Sequence, residues 1–72
     1  MGSKYPVLRP SEVIGALEKW GLVFKSQKGS HVKYKNQSRT VIVPMHKEIA
    51  KSTLQSILEQ AGLTLEEFME KL

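Results

Sequence analysis

Apolar residues recur at helical spacing between Ser11 and Trp20, where Val13, Ile14, Leu17 and Trp20 line one side while Glu12, Glu18 and Lys19 fall elsewhere. The pattern predicts an amphipathic helix. Pro10 and Ser11 supply start chemistry, with Ser11 the expected N-cap, and Gly21 supplies the stop. From Leu22 to Val43 the period changes to two, with β-branched and aromatic residues interrupted at Lys28-Gly29-Ser30 and at Asn36-Gln37-Ser38. Three strands are expected, at Leu22 to Gln27, His31 to Asn36 and Arg39 to Val43. Their short loops make them antiparallel. Pro44 closes the sheet, and after a polar stretch Leu54, Ile57, Leu58 and Ala61 form a second helical stripe that ends at Gly62. Thr64-Leu65-Glu66-Glu67 then has the capping-box pattern, Thr at the N-cap and Glu at N3, ahead of Phe68, Met69 and Leu72.

The expected order is helix, three-stranded antiparallel meander, helix and short C-terminal helix, which makes the fold class α+β. Both main helices should pack on one sheet face, leaving the other open. The chain of 72 residues is read as a single domain, because so little apolar material cannot fill two cores. Residues 1–9 are expected to be flexible or loosely docked, and Met1-Gly2-Ser3 carry no argument.

Strand parity sorts the side chains. In the second strand Val32 and Tyr34 point to the helices, so His31, Lys33 and Lys35 share the open face. Leu22 and Phe24 take core parity in the first strand, with Val23, Lys25 and Gln27 outward. A three-residue loop, Lys28-Gly29-Ser30, pairs Gln27 with His31 and Lys25 with Lys33, whereas a two-residue loop would oppose Phe24 to Lys33. In the second hairpin a Gln37-Ser38 loop pairs Tyr34 with Val41, Val32 with Val43 and His31 with Pro44. His46 then becomes a diagonal neighbour of His31, ~7 to 8 Å away.

Composition narrows the chemistry. The chain has no Cys, which excludes disulfides, zinc-thiolate sites and Cys nucleophiles, and all seven acids are Glu, which excludes Asp-based sites. No apolar run approaches the ~20 residues of a membrane span. With no targeting signal either, a cytoplasmic location without membrane attachment is expected. The net charge of +4 is uneven, because Leu22 to Lys47 carries Lys25, Lys28, Lys33, Lys35, Arg39 and Lys47 and no acid. A local surplus of +6 therefore leaves −2 elsewhere. Lysines on strands protect a sheet from edge pairing, but that accounts for one or two of them. A polyanionic partner accounts for the rest, since it relieves their self-repulsion.

A histidine on such a face can act as general base toward a ribose 2′-hydroxyl, because an unperturbed pKa of ~6.5 leaves imidazole largely neutral at cellular pH. Neighbouring lysines would stabilise negative charge developing on phosphorus. RNA would then be cleaved without metal through a 2′,3′-cyclic phosphate. The plainer alternative makes His31 a contact residue. Ser30 adjoins His31, but strand neighbours point to opposite faces, so Ser30 is assigned to shaping the loop. His46 is either a general acid or a residue that shapes the strand exit. Two histidines without a third carboxylate or Cys do not make a metal site, and no metal or small-molecule cofactor is expected. Tyr34, Phe24 and Trp20 have the chemistry to stack on bases, but their positions assign them to packing.

The string Lys28-Gly29-Ser30-His31, an Ala-Leu-Glu-Lys-Trp-Gly helix end before it, and Val-Ile-Val-Pro-Met-His and a Gln-Ala-Gly-Leu helix end after it together resemble the HicA (YcfA-like) family of bacterial toxins. The likeness runs from about residue 10 to 70. It implies a double-stranded-RNA-binding-domain-like fold, ribosome-independent mRNA cleavage and inhibition by a cognate HicB antitoxin. The family's catalytic His, in Gly-Ser-His, matches His31, and its Pro-x-His element matches Pro44 and His46. Lys51-Ser52-Thr53 departs from the family's frequent Gly-Thr, and Trp20 replaces a smaller residue. The expectation is an mRNA-cleaving toxin with His31 as its catalytic base and an antitoxin that covers His31. RNA contacts are expected from Lys25, Lys28, Gly29, Ser30, Lys33, Lys35, His46 and Lys47. The alternatives are a non-catalytic RNA-binding module on the same face and a docking domain for an acidic protein.

Overall fold

The structure, a computed structural model, describes residues 5–72, and the expectations for residues 1–4 lie outside the described residues. Along the chain come helix α1 (Pro10–Lys19), strands β1 (Val23–Lys28), β2 (His31–Lys35) and β3 (Thr40–Pro44), and helices α2 (Lys51–Ala61) and α3 (Leu65–Glu70). The strands form one antiparallel meander in the order β1-β2-β3. This is the α+β architecture that the hydrophobic pattern predicts.

α1 starts two residues earlier than expected, with Arg9 rather than Ser11 at the N-cap. Pro10 explains the difference: at the first helical position its missing N–H is not needed and its fixed φ suits the helix. Glu12 reaches back to accept from the Arg9 N–H at 2.8 Å. At the other end, the Leu22 N–H returns to the Leu17 carbonyl and ends the helix beside Gly21. α2 ends as predicted at Gly62, whose φ of 74° is the left-handed conformation that residues with a Cβ rarely adopt. α3 opens on the expected capping box, in which Thr64 Oγ1 accepts from the Glu67 N–H and Glu67 Oε1 accepts from the Thr64 N–H.

One apolar core joins Val13, Ala16 and Leu17 of α1, Val32, Tyr34, Val41 and Val43 of the sheet, Leu54, Ile57 and Leu58 of α2, and Phe68 of α3. No polar or charged side chain is buried among the described residues. Leu8 and Ile49, outside both stripes, are also buried, and the Ile49 N–H donates to the Leu8 carbonyl at 2.7 Å. Trp20 is half-buried between helices, where its indole N–H donates to the Glu67 carbonyl and Lys71 Nζ lies 5.4 Å over its ring.

The second hairpin keeps the expected register, with His31 opposite Pro44, Val32 opposite Val43 and Tyr34 opposite Val41. Asn36 builds its turn, since Asn36 Oδ1 accepts from the N–H groups of Ser38 and Arg39. The first hairpin departs from expectation. Its loop has two residues, Gly29 and Ser30, so Lys28 pairs with His31 and Ser26 with Lys33. A positive φ at Gly29 (59°), with none at Ser30, matches a type II′ turn. The slip that should oppose Phe24 to a lysine is absorbed by a bulge at Lys25, after which Phe24 again faces Tyr34. β1 is an edge strand and exposed along its whole length. Phe24 keeps core parity but is 56% exposed, because the helices do not cover that edge.

Candidate functional site

β2 displays His31, Lys33 and Lys35 on the face away from the core, with Val32 and Tyr34 buried beneath. The three exposed side chains stand about 6.7 Å apart along the strand. The bulge then decides which side chains of β1 join them. Beyond it Ser26 and Lys28 come to the outer face, and with His31, Lys33 and Ile42 of β3 they line a shallow depression of about 480 Å³. Lys25 lies instead beside Lys35, at the other end of the sheet, in a second depression lined also by Val23, Phe24 and Gln37. The basic face is therefore split. One end carries the histidine with Lys28 and Lys33, and the other carries Lys25 and Lys35 beside exposed apolar surface.

Gly29 and Ser30 form the turn that delivers Lys28 and His31 side by side. The Met45 N–H donates to the Ser30 carbonyl at 2.6 Å, which extends the β2–β3 pairing past Pro44. His46 follows directly and is held near His31, their ring centres 6.5 Å apart and the ring planes inclined at 67°. Both imidazoles are exposed, as is Lys47 next in the chain.

The sixth basic residue of the acid-free segment turns elsewhere. Arg39 lies against the end of α2, close enough that a methyl group at Gly62 would come within 2.6 Å of its guanidinium carbon. A cation there complements the negative end of the helix. Below the sheet, the Tyr34 hydroxyl donates to Glu18 Oε2 at 3.2 Å. Burial pushes the Tyr34 pKa above its ordinary value of 10.0, and the Glu18 charge adds to the effect. Tyr34 is thus a packing residue, as parity assigns it. Among the described residues no group of three or more His, Cys, Asp or Glu could hold a metal ion.

Sequence reasoning missed Ser26 and Ile42, which line the depression, and the Ser30–Met45 hydrogen bond. The first was legible only as the loss of alternation in Val23-Phe24-Lys25-Ser26-Gln27-Lys28, the usual trace of a bulge. The backbone bond has no side-chain signal.

One antiparallel sheet, helices on one face and an exposed histidine pair among lysines on the other define a small α+β protein with a basic sheet face. The family model described as HicA toxin of bacterial toxin-antitoxin matches residues 10–63. The chain belongs to the HicA toxin family, so its role is that of the toxin in a toxin–antitoxin system, with a cognate antitoxin as its partner. The comparison with curated proteins found no match. No helix among the described residues is long and apolar enough to cross a membrane.

Proposed function

We propose that this toxin is a metal-independent endoribonuclease that cleaves mRNA in the cytoplasm on the open face of its double-stranded-RNA-binding-domain-like fold. His31 is the general base. It takes the proton of a ribose 2′-hydroxyl, and the 2′-oxygen attacks the adjacent phosphorus to give a 2′,3′-cyclic phosphate. Lys28 and Lys33 bind the phosphate and stabilise the charge that builds on its oxygens. Lys35 and Lys25 engage the strand further along, and Lys47 beside the histidines. Gly29 and Ser30 present their backbone at the same edge.

The observation that carries this reading is the exposed imidazole of His31 in a depression it shares with Lys28 and Lys33. Hydrogen-bond reach to a substrate oxygen is ~2.6 to 3.2 Å, and an exposed ring on a shallow face meets that requirement without any opening motion. A HicB-like antitoxin inhibits by covering His31, the simplest way to close so open a site.

The test is induction in cells beside purified RNA cleavage with a chelator present. The parent should arrest growth and degrade transcripts, and His31→Ala should do neither. Cleavage lost on chelation would remove the metal-independent mechanism. Salt-sensitive RNA binding with no cleavage by the parent would identify a non-catalytic RNA-binding module instead. Negligible RNA binding at low salt would leave the face as a protein-docking surface.

A further inference from the structure

The geometry points to His46 as the general acid of the same reaction, an assignment that rests on the ribonuclease reading above and names the second half of its proton transfer. Cleavage breaks the bond between phosphorus and the 5′-oxygen of the next nucleotide. An alkoxide is a poor leaving group, so the departing oxygen needs a proton. A base on one side of the phosphorus therefore calls for an acid on the other.

His46 is placed for that role. With ring centres 6.5 Å apart, the two imidazoles are too far apart to bond each other and near enough to flank one phosphoryl group. Each need only come within ~2.6 to 3.2 Å of its own oxygen. Their separation is not left to a wandering loop. Pro44 pairs with His31 in the ladder, and the bond from the Met45 N–H to the Ser30 carbonyl fixes the backbone immediately before His46.

The competing donors fit less well. Lys28 and Lys33 share the depression with His31, but an ammonium group as a class holds its proton too tightly at neutral pH to be an efficient acid. Tyr34 lies on the buried face. The acid-free stretch from Leu22 to Lys47 offers no carboxylic acid.

The step balances. The 2′-hydroxyl proton goes to neutral His31 as the 2′-oxygen–phosphorus bond forms. The phosphorus–5′-oxygen bond breaks, and the proton of charged His46 goes to the 5′-oxygen. The products are a 2′,3′-cyclic phosphate and a free 5′-hydroxyl, with the two histidines left in exchanged protonation states that solvent resets.

A leaving group that needs no proton separates acid from base. The cleavage site of the purified protein is first mapped in an oligoribonucleotide. The same oligonucleotide is then made with sulfur in place of the 5′-bridging oxygen at that position, since a thiolate departs unaided. Against the ordinary RNA, His46→Ala should lose ~10² to 10⁴ in rate. Against the sulfur-bridged RNA it should cleave within a few-fold of the parent, while His31→Ala remains impaired on both. His46→Ala that keeps full activity on ordinary RNA, or is impaired equally on both substrates, overturns the assignment and leaves the ribonuclease reading standing. A parent that cleaves neither substrate overturns both.

Discussion

The Met45 backbone N–H bonds the Ser30 carbonyl at 2.6 Å and ties the exit of β3 to the turn that precedes His31. Ser30 thus takes part through its backbone, and the residue beside it benefits. Because His46 follows Met45 directly, this bond, with the pairing of Pro44 and His31, holds the backbone of His46 close to His31, and the ring centres stand 6.5 Å apart. Met45→Pro removes the donor without altering either histidine side chain. The expected cost is about 1 kcal/mol, or a fall of ~4 to 8 °C in melting temperature for a domain of this size. RNA cleavage should fall further than the melting shift explains, and unchanged cleavage would show that the placement of His46 is immaterial.

Lys33 and Arg39 both belong to the acid-free segment, but the structure gives them different work. Lys33 stands in the His31 depression, whereas Arg39 lies against Gly62 at the end of α2. Counterion release separates these roles, since each single-strand phosphate that is no longer neutralised reduces the slope of log affinity against log salt by ~0.7. Lys33→Ala and Lys28→Ala should each show that reduction in a salt titration of RNA binding. Arg39→Ala should keep the parent slope and instead lower thermal stability, through the cation it removes from the helix end.

Two phenylalanines separate parity from burial. Phe68 is fully buried under α3, and its replacement by Ala should cost ~3 to 5 kcal/mol. Phe24 contributes an edge-to-face contact with Tyr34 at 6.0 Å and is otherwise exposed. Phe24→Ala should cost only ~0.5 to 1.5 kcal/mol. Urea unfolding of the two variants measures the difference, and equal losses would mean that the β1 edge is covered in solution.

Much of this architecture is legible in the sequence because its signals are local. The capping box at Thr64, the stop at Gly62 and the alternation in His31-Val32-Lys33-Tyr34-Lys35 each act within a few residues. The same alternation places His31 on the open face, and strand geometry brings His46 near it. What the pattern does not carry depends on partners distant in the chain. Loop length and a bulge compensate each other in the first hairpin, so a two-residue turn and a three-residue turn both restore Phe24 to Tyr34. Parity assigns Phe24 a face but cannot say that the helix layer stops short of an edge strand. Arg39 counts toward the basic surplus by charge, but it shares the parity of Val41 and Val43, and the structure places it on the helix side against Gly62.

Tyr34 gives the fold an alkaline limit. Its ring packs in the core while its hydroxyl donates to exposed Glu18, and both burial and the Glu18 charge raise its pKa above 10.0 in the folded protein. In the unfolded chain the tyrosine ionises first, near its ordinary value of ~10. Above that pH the folded state holds the proton longer than the unfolded state, so stability falls as pH rises. The contribution is fully present below about pH 10 and is lost as the pH rises through the folded-state value. At neutral pH, Tyr34→Phe should cost ~0.5 to 1.5 kcal/mol for the missing hydrogen bond. The gap between parent and variant should then narrow in urea titrations carried from about pH 8 to about pH 11, because the phenylalanine has no proton to lose. Every other group is common to both proteins and cancels in the comparison. A gap that stays constant to the alkaline end would mean that Tyr34 ionises alike in the folded and unfolded chains.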